Sequence, residues 1–155
     1  MQSAIDEIGA ARFGLVGGAW GHMTPRMGPV VGDAAGSAAT GSLRAGRWRQ
    51  AAGLARVEEA FAVDAESVFA AKVNHWLARD AGLGVAAIQG EVEEWDVTGL
   101  PRKFQLARHI LLRQDGQAVA LLRQLTAEGG VTASDIRDWP LFDRLKSEGK
   151  LDRCY

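Results

Sequence analysis

The chain has 155 residues and a net charge of −1, with 47% hydrophobic and 24% charged residues. That balance fits one globular domain and excludes a wholly disordered chain, a strongly basic nucleic-acid binder and a polyacidic tail. A single cysteine, Cys154, excludes an internal disulfide framework and a multi-cysteine zinc site.

Glycine divides the chain. Residues 1–56 hold 11 of the 19 glycines, 6 Arg, no Lys and 3 acidic residues, a balance of +3. Residues 57–155 hold the rest and carry −4. The shift near Arg56 suggests two parts. Residues 1–56 would form a Gly/Ala/Arg-rich region, irregular or ordered by a partner, and residues 57–155 a helical domain. No run approaches the ~20 apolar residues of a membrane helix. The first residues lack a basic segment followed by an apolar one, so no secretory signal is expected. One cysteine fits a reducing compartment, and the cytoplasm is the expected location.

In chain order, Phe13–Val16 followed by Gly17-Gly18-Ala19-Trp20-Gly21 resembles the first strand and phosphate turn of a Rossmann dinucleotide domain. Gly17, Gly18 and Gly21 would let backbone approach a pyrophosphate, and NAD(P) or ATP would be the ligand. The spacing departs from G-x-G-x-x-G. Only seven residues, with Pro25 among them, separate this turn from the next short apolar run, too few for a βαβ crossover. Gly32 to Gly36 has no lysine to serve a phosphate loop. Gly28, Gly32, Gly36 and Gly41 fit a small-residue face for close helix packing, or a plain irregular segment, the leading reading. Arg44, Arg47, Trp48 and Arg49, with Arg56 beyond, form a basic cluster around an aromatic that suits phosphate contact and base stacking. The alternative is a solvated helix start paired with Glu58 and Glu59.

From residue 64 the helical period is plain. Asp64 is a predicted N-cap, and Val68, Phe69, Val73, Trp76 and Leu77 share one face up to a stop at Gly82. A weaker helix at 85–95 carries Ile88, Val92 and Trp95. Pro101 opens a helix with Phe104, Ala107, Ile110 and Leu111. Asp115 is expected to cap the next, which carries Val119, Leu121, Leu122 and Leu125 and ends at Gly129-Gly130. Thr132 to Asp135 reads as a capping box, and Pro140 starts a last helix with Leu141, Phe142 and Leu145. Short links force antiparallel neighbours, so 102–114 and 117–128 make a helical hairpin. The expected fold is mainly α: antiparallel helical hairpins packed as a small bundle behind a Gly-rich irregular N-terminal region. Phe69, Trp76, Trp95, Phe104, Trp139 and Phe142 are its expected core.

The stretch from Phe104 to Leu122 and the ending from Asp135 to Leu145 resemble tetratricopeptide-like helical-repeat segments of uncharacterised bacterial proteins, over about residues 100–148. The resemblance implies a helical protein-interaction surface and carries no catalytic residues. The repeat's early Trp and Leu-Gly positions are missing, and fewer than the ~3 repeats of a solenoid fit.

No catalytic constellation assembles in the sequence. His22, His75 and His109 lack metal-ligand spacing, and no cofactor or metal is called for. Glu91, Glu93, Glu94 and Asp96 read as a solvated face, and His75 beside Asn74 matters only if the pair lines a cleft. The leading expectation is a non-enzymatic interaction module, an adaptor, regulator or accessory subunit, that binds a protein partner or self-associates. A nucleotide-binding enzyme fragment using Gly17, Gly18 and Gly21, and nucleic-acid binding through Arg44, Arg47, Trp48 and Arg49, are the alternatives.

Overall fold

A computed structural model describes residues 27–151 of the chain. Among them are eight α-helices and two short 3-10 turns, and no strand. The helices are α1 (Met27–Arg44), α2 (Trp48–Phe61), α3 (Ala65–Leu83), α4 (Gln89–Glu93), α5 (Arg102–Leu111), α6 (Asp115–Ala127), α7 (Ala133–Asp138) and α8 (Asp143–Ser147). The 3-10 turns, Val85–Ala87 and Pro140–Phe142, precede α4 and α8. The fold is mainly α, built of antiparallel helical hairpins, as the spacing of apolar residues predicts.

The N-terminal part departs from expectation. From Met27 to Arg44 the Gly-rich region is an 18-residue helix rather than irregular chain. The compositional boundary at Arg56 falls inside α2, so it is no structural boundary. Gly and Ser weaken an isolated helix, yet tertiary packing overrides propensity when a face can be buried. Gly32, Ala35, Gly36, Ala39 and Ser42 recur every three or four residues on α1, and all are buried. They face Ala51, Leu54, Ala55, Glu58 and Phe61 of α2. A Cβ at Gly36 would lie 2.5 Å from Glu58 Oε1, the end of a flexible side chain, so glycine there makes room for the Glu58 carboxyl. Gly41, which the sequence offers for the same face, is exposed and meets nothing. The neighbouring α3 continues the theme with Ala71 and Ala78, both buried. The helix α2 lies between α1 and α3, which touch each other only sparsely, so the three form a side-by-side layer.

The main core lies on the other side of α3. Trp76, Trp95, Phe104 and Phe142 are buried there with Val73, Ile88, Val92, Leu106, Ile110, Leu122 and Leu145. Phe69 and Trp139 are half-buried against it. Phe104 stands 5.8 Å from Phe69 and 6.2 Å from Trp95, centroid to centroid, and Trp76 is 5.1 Å from Trp95. Tilted and edge-on pairs at these distances add to the hydrophobic gain.

The helix ends follow the predicted signals with three changes. Asp64 accepts from the Ser67 backbone N–H at 2.8 Å, and its carboxyl is held below the usual range by that bond. Thr132 and Asp135 close a reciprocal capping box. Gly129 and Gly149 take positive φ at their stops. Gly82, expected as a stop, instead lies within α3, which ends one residue before Gly84 at φ 83°. Pro101 sits just before α5, not in its first turn. Asp115 does not cap α6. Gln114 holds the cap position without a side-chain bond, because the Asp115 carboxylate is drawn to Arg144, at 2.5 Å, and to Lys150.

That last pairing sets a prediction. Hydrogen bonding from Arg144, reinforced by Lys150, holds the Asp115 carboxyl at about 2. A depressed folded pKa contributes stability above the ordinary carboxyl value of ~3.8, and the contribution is lost as pH falls toward ~2. Solvent reaches both partners, which discounts the effect to about 1 kcal/mol. Asp115→Asn should therefore lower stability at neutral pH and flatten its fall between about pH 5 and pH 2 in urea titrations. An equally steep acid limb in the variant would show that the pair contributes nothing.

Candidate functional site

The described residues place the predicted basic cluster at the turn between α1 and α2, and they do not keep it together. Arg44, at the end of α1, reaches across to α7. Its guanidinium donates to the carbonyls of Arg137 and Asp138 at 3.2 and 2.9 Å, and Asp143 lies 3.6 Å away. These are the last carbonyls of α7, where a cation complements the helix dipole. Arg44 thus ties the N-terminal layer to the C-terminal helices.

Trp48 is also committed. Its indole lies so close over Gly82 of α3 that a Cβ at residue 82 would fall within the ring's van der Waals surface. Arg49 covers the ring, with its guanidinium carbon 4.9 Å from the centroid. Trp48 therefore packs α2 against α3 and leaves little face for a stacked base. The alternative pairing of these arginines with Glu58 and Glu59 is not formed either. Glu58 turns toward α1 and α3, accepting from Asn74 Nδ2 at 3.3 Å, and burial pushes its carboxyl pKa up.

Fifteen Lys and Arg side chains lie among the described residues. Nine of them, from Arg44 to Lys150, stand in ion pairs with carboxylates. Arg108 donates to the carbonyls of Val92 and Glu93, and Lys72 lies over Trp76. Arg47, Arg49, Arg56 and Arg123 have no carboxylate partner among the described residues. Three of these four lie on α2 or at its first turn. Arg49 and Arg56 are seven residues apart, and with exposed Gly53 and Ala60 they form one stripe along the helix.

Two clefts flank α3. One, of about 300 Å³, has Asn74, Lys103, Phe104 and Trp139 in its wall. Asn74 thus lines a cleft, while His75 does not. Its Nδ1 lies 3.1 Å from the Ala52 carbonyl, a tie between α3 and α2. Asn74 Oδ1 accepts from the Trp139 indole N–H at 3.0 Å, so Glu58, Asn74 and Trp139 form a relay joining three elements.

The second cleft, also about 300 Å³, lies between Leu43 and Arg44 of α1, Leu77 and Asp80 of α3, the end of α5, and the Pro140–Arg144 segment. Arg113 lines it with φ 60°, the one non-glycine residue of the described chain with positive φ. An arginine in the left-handed region costs about 1–2 kcal/mol. Its guanidinium meets Asp80 Oδ2 at 2.5 Å. None of Asp80, Arg113 and Arg144 stands out in the sequence, since their spacing matches no motif and only the α5–α6 turn brings them together.

Most of the remaining candidates have structural partners. Glu91 accepts from the Trp76 indole at 3.0 Å and from Arg79 at 2.5 Å, which lowers its pKa. Asp96 accepts from Thr98 N–H and closes a turn, and Glu93 accepts from Gln89. His109 Nδ1 lies 2.6 Å from Gln114 Oε1. No three His, Cys, Asp or Glu side chains gather as metal ligands among the described residues. No described helix is long and apolar enough to cross a membrane. Gly17, Gly18, Gly21, His22 and Cys154 lie outside the described residues. Compared with known proteins, the chain matches no family model, no curated protein and no solved structure.

Proposed function

We propose that the chain is a non-enzymatic helical interaction module that docks a protein partner along α2, as an adaptor, regulator or accessory subunit. The observation that carries this reading is the distribution of cations without carboxylate partners. Most charges of the described chain are matched internally, and the unmatched arginines concentrate at Arg47, Arg49 and Arg56. An exposed stripe of arginines on a helix whose flanks are fixed by α1 and α3 suits an acidic protein surface. Trp48 is held in packing, which favours a protein over a nucleic acid as the partner. The α5–α6 hairpin, with its tetratricopeptide-like spacing, then serves as the scaffold behind the layer. A single cysteine in the whole chain supports action in a reducing compartment such as the cytoplasm of a bacterium.

The test is a photo-crosslinking residue at Gly53, where a side chain meets nothing within 4 Å. A control carries it at exposed Arg123 on α6. The reading expects a protein adduct from position 53 and none from 123. Arg49→Glu with Arg56→Glu should abolish that adduct, and rising salt should weaken it, since contacts between exposed charges are screened. Equal adducts from both positions, or an adduct that survives the double reversal, would remove α2 as the docking face.

A further inference from the structure

A carboxylate without a cation sits inside the contact between α1, α2 and α3. Elsewhere in the fold, carboxylates set between two elements meet one: Glu66 meets Lys103, Asp80 meets Arg113, and Asp115 meets Arg144. Glu58 projects from α2 toward both neighbouring helices and stands in no ion pair among the described residues. Its carboxyl lies against Gly36 of α1, in space that a Cβ there would fill. From α3 it receives one long bond, Asn74 Nδ2 to Oε2 at 3.3 Å. Asn74 is itself held by the Trp139 indole, so the α3 side of this contact is fixed.

The surrounding charges make the position costly for an ionised carboxyl. Asp33, one turn before Gly36 on α1, adds a second negative charge. No cation comes from α3, where Lys72 lies over Trp76 and His75 turns to the Ala52 carbonyl. On α2 itself the neighbours in sequence are Glu59 and Arg56, and Arg56 is exposed and forms no ion pair with Glu58. Burial, above all, pushes the Glu58 carboxyl up from its ordinary value of 4.5; the Asn74 bond opposes the rise and Asp33 adds to it. A proton removes both the charge that α1 has to cover and the repulsion from Asp33. It also turns one oxygen into a donor while the other still accepts from Asn74.

We propose that Glu58 is an acid-responsive latch: α1 closes more tightly on α2 and α3 when this carboxyl carries a proton than when it does not. A folded value above the unfolded one contributes stability that is complete below 4.5 and is lost as pH rises through the raised value. The latch lies on the inner side of α2 and does not depend on what the arginine stripe binds.

The experiment compares amide exchange of the full chain at about pH 5 and about pH 7.5, expressed as protection factors so that the intrinsic pH dependence of exchange cancels. Protection of Ala35, Gly36 and Ala39 should be at least about threefold higher at the lower pH, the effect of about half a pKa unit. Glu58→Gln, neutral and of the same shape, should erase the difference between the two conditions. In a carbon-detected titration the Glu58 carboxyl should show a midpoint above 4.5, and Asp33→Asn, which removes the like charge from α1, should lower it. Equal protection of α1 at the two pH values, or higher protection at about pH 7.5, overturns the latch. A rise toward acid that survives Glu58→Gln belongs to another group and overturns it equally.

Discussion

Phe104→Ala should lower the unfolding free energy by about 3–5 kcal/mol, the cost of a buried Phe with the cavity it leaves. The ring is fully buried, between Phe69 and Trp95, and α5 carries it into the middle of the main core. Collapse of the site is limited because its neighbours are large and held by other contacts. Trp76 and Trp95 pack against each other at a tilt, and the Trp76 indole is hydrogen-bonded to Glu91. Natural domains hold only about 5–15 kcal/mol in reserve, so this single change should bring the fold near its limit. Urea titration of the two proteins measures it. A loss under about 1 kcal/mol would mean that Phe104 does not sit in the core.

Gly82→Ala should destabilise the protein by about 1–3 kcal/mol, against the usual sign of the change. Alanine inside a helix ordinarily gains up to about 1 kcal/mol over glycine. Here the added methyl would enter the space of the Trp48 indole, against Cγ, Cδ2 and Cε2. Those atoms belong to the ring system near its attachment, so the whole indole has to move and α2 with it. The effect is conditional on Trp48. In a Trp48→Ala background the same glycine change should turn stabilising, by about 0.5–1 kcal/mol. The non-additivity of the double-mutant cycle isolates the contact. A Gly82→Ala protein more stable than its parent would show that the indole does not approach α3.

The residues behind these two predictions differ in how readable they are. Phe104 belongs to a helix whose apolar residues repeat every three or four positions, so its burial follows from spacing alone. The same holds for Val73 and Trp76, for Ile88, Val92 and Trp95, and for Leu141, Phe142 and Leu145, all buried. Gly82 illustrates the opposite case. Its position near the end of a helix suits a stop, and only the approach of Trp48, from a helix 34 residues earlier, makes it an interior contact.

The helix α1 was the least legible element for a related reason. Its buried face is Gly32, Ala35, Gly36, Ala39 and Ser42, which hydropathy cannot separate from a linker. Such a face is stable only when another backbone comes close, and that information resides in α2. The sites follow the same logic. The arginines of residues 44–49 are visible in the sequence, but their division into a helix tie, a ring cover and an exposed remainder depends on α7 and Trp48. Asp80 and Arg144 stand 64 residues apart in sequence, and only the fold places them in the wall of one cleft.

The layer and the docking face both depend on α1 as a helix closed onto α2 by its small residues. Amide hydrogen exchange of the full chain tests this most directly. Ala35, Gly36 and Ala39 should exchange at least about a hundredfold more slowly than an unstructured chain, and in step with Leu54 and Ala55 of α2. Exchange of residues 31–44 at the unstructured rate, with α3 to α8 still protected, would contradict the layer and the docking face built on it.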